Sequence, residues 1–232
     1  MLDFHIHVLP QMDDGSRSEE ISLEMLRRSA AYGVDLMACT SHFYAWENPP
    51  ARYLERRAAA YERLTAAMRA EGGEYPRLLL GAEVRFFGGI SNAEELPELC
   101  LQGTNLLLLE MPFVEWSERM VREVGAIRRR GIQPVAAHIE RYMDQPRKLF
   151  EMYMDQGILI QCNAEFFLER HTAHKAMKFL KKGNVHFLGS DSHNITSRPP
   201  NLGDAWDLIE KKAGPEAVEQ LRRSERLVRG RL

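Results

Sequence analysis

Short apolar runs alternate along this chain with longer segments in which charged and apolar residues recur at helical spacing. An apolar run of roughly four to eight residues is typical of a buried strand, whereas apolar positions three and four apart are typical of an amphipathic helix. The apolar runs predict seven strands, at Leu2–Ile6, Val34–Cys39, Arg77–Val84, Asn105–Glu110, Gln133–Ala137, Ile158–Cys162 and Val185–Gly189. The other segments predict helices at Glu19–Tyr32, Ala51–Glu71, Ser117–Arg130, Arg147–Gln156, Thr172–Lys182, Leu202–Lys212 and Glu216–Arg223.

The order of these elements predicts an α/β fold. Gly33, Gly131, Gly157 and Gly183 each end a predicted helix shortly before a predicted strand. Repeated strand–helix–strand units imply parallel strands. Seven units in 232 residues favour a (β/α) barrel with one unit fewer than the usual eight. An open doubly wound sheet is the alternative, since it contains the same units. No linker interrupts the pattern, which predicts one domain over residues 1–232.

Composition narrows the class of protein. The 31 basic and 33 acidic side chains leave a formal charge of −2, which argues against a nucleic-acid-binding role. The chain has neither an N-terminal signal pattern nor an apolar stretch of the ~20 residues that span a bilayer, so we expect no membrane insertion. Three scattered cysteines do not suggest a disulfide framework, and a cytoplasmic location is expected.

Side chains that commonly bind metal ions lie at the predicted strand ends, where a barrel forms its active site. These ends and the first loop carry His5, His7, Asp13, Asp14, His42, Glu83, Glu110, His138, Asp191 and His193. Residues two apart in a strand face the same side, so His5 and His7 can bind one ion together. Each residue alone is better explained by packing or an ion pair. Their coincidence at six of seven strand ends favours a metal site.

Spacing excludes two classes of phosphate-binding protein. Cysteine-dependent tyrosine phosphatases need an arginine six positions after the cysteine, but here those positions hold Ala45, Leu106 and Leu168. The chain also has no Gly-x-x-x-x-Gly-Lys phosphate loop. The remaining histidines have no predicted role in binding or catalysis. We expect His171 and His174 to be exposed near a helix start and His186 to be a structural residue within a strand.

The strand-end motifs resemble those of the PHP (polymerase and histidinol phosphatase) family. The closest resemblance is to its bacterial protein-tyrosine phosphatases of capsule and exopolysaccharide synthesis. The resemblance covers residues 2 to about 200 and is carried by His5-x-His7, Asp13-Asp14-Gly15, Thr40-Ser41-His42, Gly81-Ala82-Glu83-Val84, Glu110-Met111-Pro112, His138-Ile139-Glu140-Arg141-Tyr142, Ser190-Asp191-Ser192-His193 and Arg198-Pro199. The chain departs from many relatives at Ser41, Phe43 and Ile139.

The resemblance implies a distorted seven-stranded TIM-like barrel that holds three divalent metal ions, usually manganese and sometimes iron, zinc or magnesium. One ion would take His5, His7, Glu83 and Asp191. A second would take Glu83 as a bridge, with Glu110 and His138. A third would take Asp14, His42 and His193, with Asp13 as a supporting partner. Arg141 and Arg198 would hold the substrate phosphate, and a hydroxide shared by the ions would attack phosphorus.

The resemblance therefore predicts a metal-dependent protein-tyrosine phosphatase that acts on the phosphotyrosine-rich tail of a bacterial tyrosine kinase. Charge supports this prediction, because three divalent ions and two arginines outweigh four carboxylates and attract a dianionic phosphate. One alternative is a small-molecule phosphatase such as histidinol-phosphate phosphatase. Another is a catalytically silent metal-binding or scaffold domain, although a silent site would be free to lose ligands. An oligomer is compatible with the sequence.

Overall fold

The computed structural model describes residues 1–231, which form nine strands and nine α-helices. The strands are β1 (Leu2–Ile6), β2 (Leu36–Cys39), β3 (His42–Phe43), β4 (Arg77–Leu80), β5 (Glu83–Arg85), β6 (Leu106–Glu110), β7 (Gln133–Ala136), β8 (Leu159–Asn163) and β9 (Phe187–Gly189). The helices are α1 (Glu19–Ala31), α2 (Pro50–Glu71), α3 (Leu96–Leu99), α4 (Glu118–Arg129), α5 (Arg147–Met154), α6 (Ala164–Leu168), α7 (Ala173–Lys181), α8 (Leu202–Lys212) and α9 (Pro215–Arg229).

The strands form curled sheets in which every pairing is parallel, so the predicted α/β class is confirmed. One sheet has the order β1-β2-β4, and the other has the order β3-β5-β6-β7-β8-β9. The single strand predicted at Arg77–Val84 is interrupted at Gly81 and Ala82, which separates β4 from β5. The Glu83 amide then lies 3.2 Å from the carbonyl oxygens of both Thr40 and Ser41. This interruption places Glu83 beside His42 at the start of β3.

The helices begin and end where local chemistry satisfies their terminal backbone groups. Ser18 accepts a hydrogen bond from the Ile21 amide at the start of α1, and Ser117 caps α4 through the Met120 amide. Gly33 follows α1 with a φ of 84°, a conformation that glycine adopts without strain. Helix α9 is longer than the predicted Glu216–Arg223, because Ser224 and Val228 continue its buried face. Helices α3 and α6 were not predicted, since four or five residues are too short to show a helical period.

A register slip in β1 turns two successive side chains to the same face of the sheet. Phe4 stacks on Phe187, with ring centroids 4.0 Å apart, while the His5 ring contacts Gln161. Gln161 and Phe187 are register partners and therefore share one face. The pairing of β1 with β2 shifts between Asp3 and Ile6, as a β-bulge does. Because of the slip, apolar Phe4 is followed on the same face by His5, and His7 comes directly after the strand.

The end of β1 also lies against the segment that follows β9. The Asp191 amide donates to the His5 carbonyl at 2.7 Å, and the His7 amide donates to the Ser192 carbonyl at 3.0 Å. These contacts bring the first and last strands of the sheet order together, while the closed seven-stranded barrel stays a prediction. Among residues 1–231, no helix combines the length and the apolarity that crossing a bilayer requires.

The close approach of β9 to β1 requires a residue without a side chain at position 189. A Cβ built on Gly189 would lie 2.5 Å from the His5 Cβ and 3.0 Å from the His5 amide nitrogen. We therefore expect Gly189→Ala to lower the free energy of unfolding by about 1–3 kcal/mol, measured by urea denaturation. Gly88→Ala is the matched control, because its Cβ would meet nothing within 4 Å. Equal stability of the two variants would contradict this account of the β1–β9 contact.

Candidate metal centre

The structure brings all nine predicted metal ligands into one cluster at the carboxyl ends of the strands. Eight of them are buried or largely buried, and only Asp14, in the first loop, has a mostly exposed side chain. Donor atoms of three groups lie within 4.8 Å of one another in each group. These groups are His5, His7 and Glu83, then His42, Glu83 and Glu110, then His7, Asp14, His42 and His193. The grouping overlaps the predicted division into three ions but differs from it in detail: Asp191 is absent from the first group, His42 stands in place of His138 in the second, and His7 joins the third.

The carboxylate of Glu83 occupies the centre of the cluster. Its Oε2 lies 3.3 Å from the Nε2 of His5 and 3.4 Å from the Nε2 of His7. The same oxygen is 2.8 Å from the Nδ1 of His42, and Oε1 is 2.8 Å from the Nε2 of His138. Burial alone would raise the pKa of Glu83, but the imidazoles of His5, His138 and His42 outweigh it and hold the pKa well below its ordinary value. The carboxylate therefore stays ionised inside the protein.

His5, His7 and Asp191 complete the first predicted group. The two Nε2 atoms of His5 and His7 lie 3.1 Å apart, and Oδ1 of Asp191 is 3.6 and 3.5 Å from them. Ligand atoms about 2.1 Å from a tetrahedral ion are roughly 3.4 Å apart. The observed separations therefore match those of atoms that surround one ion.

Glu110 and His138 form the second group with Glu83. The Nε2 of His138 is 3.5 Å from Oε1 of Glu110, and the other oxygen of Glu110 lies 2.8 Å from a guanidinium nitrogen of Arg85. Burial would lower the pKa of His138, but Glu110 and Glu83 raise it to about 9. Arg85 was not among the predicted site residues, although its position two residues after Glu83 in β5 places it on the same face.

The third group is the most open part of the cluster. Oδ1 of Asp14 lies 3.5 Å from the Nε2 of His42 and 3.4 Å from the Nε2 of His193. Burial lowers the pKa of His193 more than Asp14 raises it, which favours the neutral imidazole that binds metal ions. The exposed side chain of Asp14 makes this end of the cluster accessible from solvent.

Asp13 orients two of the histidines but belongs to none of the three groups of possible metal ligands. Its Oδ2 accepts a hydrogen bond from Nδ1 of His7 at 2.7 Å and from the His42 amide at 2.8 Å. Protonation of Nδ1 leaves the Nε2 of His7 free to bind a cation, an arrangement typical of metal-bound histidines. Asp13 therefore contacts two histidines of the cluster, whereas an oxygen of Asp14 lies among the possible ligand atoms of the third group.

The end of β8 supplies two positioning residues that the sequence analysis missed. Oε1 of Gln161 lies 3.2 Å from Nδ1 of His5 and accepts the His138 amide at 2.7 Å. Asn163 accepts a hydrogen bond from Gln161 and donates to Oδ2 of Asp191 at 2.9 Å. The available signal was the pair of amides two residues apart at the end of an otherwise apolar strand.

The two predicted phosphate-binding arginines meet at the outer oxygen of Asp191. Guanidinium nitrogens of Arg141 and Arg198 lie 2.6 and 2.7 Å from Oδ2, while Oδ1 faces His5 and His7. Buried Glu140, the neighbour of Arg141 in the chain, accepts the Asn163 amide at 3.0 Å. The side chains of Arg141 and Arg198 are 37% and 40% exposed, so part of each guanidinium faces solvent.

Backbone strain coincides with two of the predicted ligands. His138 has a φ of 31° and Asp191 a φ of 50°, in the region where residues with a Cβ are disfavoured. Such a conformation costs about 1–3 kcal/mol and persists only when the surroundings impose it. The surrounding structure therefore imposes an unfavourable backbone conformation at two residues of the cluster.

Buried ligand atoms test whether the cluster fits metal ions. Oε2 of Glu83, Oε2 of Glu110 and Nε2 of His193 are buried without a well-directed hydrogen bond, although each has an ion-pair neighbour among the described residues. Burying polar groups with incomplete hydrogen bonding is costly, and neighbouring carboxylates repel one another. Divalent cations relieve both penalties, and mixed imidazole and carboxylate donors suit manganese, iron and zinc. The donor set therefore fits the predicted ions.

The remaining histidines and the cysteines lie outside the cluster. His171 is 78% exposed beside Glu169, and His186 uses Nδ1 to accept the Ile160 amide, as expected for a structural residue. Burial raises the pKa of the Cys39 and Cys100 thiols to about 12. Cys162 is also buried and its thiol pKa is raised. These thiols are poor nucleophiles at neutral pH.

Comparison with known proteins agrees with this geometry. The tyrosine-protein phosphatase CpsB of Streptococcus pneumoniae is 30% identical, over 95% of this chain and 94% of its own length. The tyrosine-protein phosphatase YwqE of Bacillus subtilis is 28% identical, over 93% of this chain and 86% of its own length. A solved chain described among the metal-dependent tyrosine phosphatases YwqE and CpsB superposes with a TM-score of 0.85 and 25% identity, covering 99% of this chain and 94% of that one.

The family comparison covers almost the whole chain. The model of the family described as capsular polysaccharide synthesis, CpsB/CapC, matches residues 1–227. This match includes every strand and every member of the donor cluster, and it agrees with the resemblance seen in the strand-end motifs. The chain therefore belongs to the CpsB/CapC family of capsular polysaccharide synthesis.

Proposed function

We propose that this protein is a metal-dependent protein-tyrosine phosphatase. The observation that carries the proposal is the convergence of buried imidazoles and carboxylates, several without a well-directed hydrogen bond, beside two half-exposed arginines. Such a site combines metal-binding positions with cationic side chains that can bind a phosphate. The relatives CpsB and YwqE are named tyrosine-protein phosphatases, which supports the same activity here.

Three divalent ions would be held by the nine donors. The first would take His5, His7, Glu83 and Asp191, the second Glu83, Glu110 and His138, and the third Asp14, His42 and His193. Manganese is the proposed metal, with iron, zinc and magnesium as the other choices. When bound, such ions lower the pKa of water and withdraw charge from phosphoryl oxygens.

The arginines are proposed to bind the substrate phosphate. Each contacts the outer oxygen of Asp191 through one guanidinium nitrogen. A planar guanidinium carries five N–H donors, so most donors of each arginine stay available for phosphate oxygens. Asp191 would hold the arginines next to the ion site while its other oxygen faces His5 and His7.

The proposed substrate is a phosphotyrosine in the tail of a bacterial tyrosine kinase that acts in capsule or exopolysaccharide synthesis. A tyrosine leaving group has a pKa of about 10 and needs less protonation than an alkyl alcohol. A histidinol-phosphate phosphatase would instead use a small alkyl phosphate. Parallel assays on a phosphotyrosine peptide and on histidinol phosphate distinguish the two, because only the proposed enzyme prefers the peptide.

We also propose that the chain works as one domain built on a distorted seven-stranded barrel. In that arrangement β2 with β3, and β4 with β5, would each count as one interrupted strand. The hydrogen bonds from Asp191 to His5 and from His7 to Ser192 support closure between the first and last strands.

Metal dependence is the first prediction. A chelator should abolish hydrolysis of a phosphotyrosine peptide, and added manganese should restore it. Thiol alkylation should leave activity intact, because Cys39, Cys100 and Cys162 are all buried. Alkylation of the urea-unfolded chain serves as the control that the reagent works. Loss of activity on alkylation with metals still bound would refute the mechanism.

Glu83→Gln tests the central carboxylate. Glu83 contacts histidines of every group, so its neutral amide should reduce the bound metal by more than one ion per chain or collapse turnover. Metal content is measured by inductively coupled plasma mass spectrometry on the dialysed protein. The exposed Glu94→Gln is the matched control and should keep its metal. If Glu83→Gln keeps the full metal content and the full rate, the assignment of Glu83 as the bridging ligand is wrong.

Arg141→Ala and Arg198→Ala test phosphate binding. Each should lower kcat/KM for a phosphotyrosine peptide about a hundredfold or more, the scale of losing one transition-state donor. Metal content and melting temperature should barely change, because neither arginine belongs to a donor group. Arg147→Ala, at a side chain 90% exposed, is the control. Wild-type kinetics in either variant would show that the replaced arginine does not bind the phosphate. Loss of bound metal would show instead that the arginine supports the position of Asp191.

A further inference from the structure

Two groups of aromatic side chains flank the donor cluster at its solvent edge. Tyr44 and Trp46 follow β3, and Phe113 follows β6, so they lie on either side of β5 and Glu83. Trp46 is 62% exposed and Phe113 is 54% exposed, which makes them two of the most exposed large apolar side chains of the described residues. A single exposed aromatic residue needs no explanation, but a set that surrounds a charged site does.

Each aromatic group stacks directly on a histidine of the cluster. The ring of Tyr44 lies 5.1 Å from that of His42 at an interplanar angle of 21°, and Trp46 stacks on Tyr44 at 5.1 Å. On the other side, the Phe113 ring lies 6.2 Å from that of His138 at an angle of 23°. The aromatic surfaces therefore begin one ring's distance from the donor atoms.

Phe113 is also held in place by charge. The Arg85 guanidinium lies 4.6 Å from the centre of the Phe113 ring and 2.8 Å from a carboxylate oxygen of Glu110. A guanidinium over an aromatic face is attracted to it, so the ring is fixed relative to Glu110 and His138. About half of the Phe113 residue nevertheless stays exposed to solvent. A bound ligand can therefore pack against its exposed side chain.

We propose that Phe113 on one side and Tyr44 with Trp46 on the other form an aryl-binding subsite for the phenyl ring of phosphotyrosine. The inference rests on the proposed phosphatase function and adds the source of its substrate selectivity. An ester oxygen joins the phosphate of phosphotyrosine directly to its ring, so a phosphate at the donor cluster brings that ring level with these side chains. Offset or edge-to-face aromatic contacts then favour the aryl ester. An alkyl phosphate leaves the same surfaces uncovered.

Substrate selectivity of Phe113 variants tests this subsite. Phe113→Leu keeps an apolar side chain but removes the ring, and should lower kcat/KM for a phosphotyrosine peptide about tenfold, the scale of lost aromatic contacts. The same variant should change kcat/KM for a phosphoserine peptide of matching sequence less than twofold, so the ratio of the two values falls. Phe113→Tyr, which keeps a ring, should restore the ratio. Leu227→Ala, another exposed apolar position, is the control on α9.

The outcomes separate this inference from the proposed function. If wild-type protein with manganese hydrolyses neither peptide, the phosphatase function itself is wrong. If wild-type protein prefers phosphotyrosine but Phe113→Leu leaves the ratio unchanged, or lowers both values equally, the aryl subsite is wrong. Metal content measured on the same samples shows whether the substitution has disrupted the Arg85–Glu110 contact. Lost metal with an unchanged ratio of the two kcat/KM values also counts against the subsite.

Discussion

The donor cluster depends on keeping the Glu83 carboxylate ionised where it is only 1% exposed. An isolated buried carboxylate would take up a proton rather than stay charged. Here ring nitrogens of His5, His7, His42 and His138 surround it at 2.8–3.4 Å. These imidazoles come from three segments, the end of β1, the start of β3 and the end of β7, so the charge of one side chain constrains the approach of all three. A fold that holds Glu83 charged must therefore also hold the cluster together.

The histidines are in turn fixed by side chains that are not themselves among the proposed metal ligands. Asp13 and Gln161 engage the Nδ1 atoms of His7 and His5, which directs both Nε2 atoms toward Glu83. Gln161 also binds the backbone of His138, whose φ of 31° is strained. Local strain is tolerated because several hydrogen bonds determine the same position. The preorganised arrangement is what allows an ion to bind without rearranging the strands.

Asp191 joins this inner arrangement to the surface. One oxygen faces His5 and His7, while the other accepts hydrogen bonds or ion pairs from Asn163, Arg141 and Arg198. The site thus changes over a few ångströms from a buried donor cluster to half-exposed guanidinium groups. Elsewhere on the solvent edge of the cluster, the exposed side chains of Trp46 and Phe113 lie near His42 and His138. Cationic groups next to aromatic surfaces suit a phosphate that is attached to a ring.

The sequence by itself determined the class of fold and nearly all the members of the site. Parallel α/β structure follows from local periodicity, and His5, His42 and Glu83 could be placed at strand ends because apolar runs stop there. Only the tertiary structure decided the slip in β1, the interruption at Gly81 and the meeting of Arg141 with Arg198 on Asp191. Gln161 and Arg85 were missed for the same reason. Periodicity records which face a residue prefers, whereas register and side-chain pairing depend on partners far away in the chain.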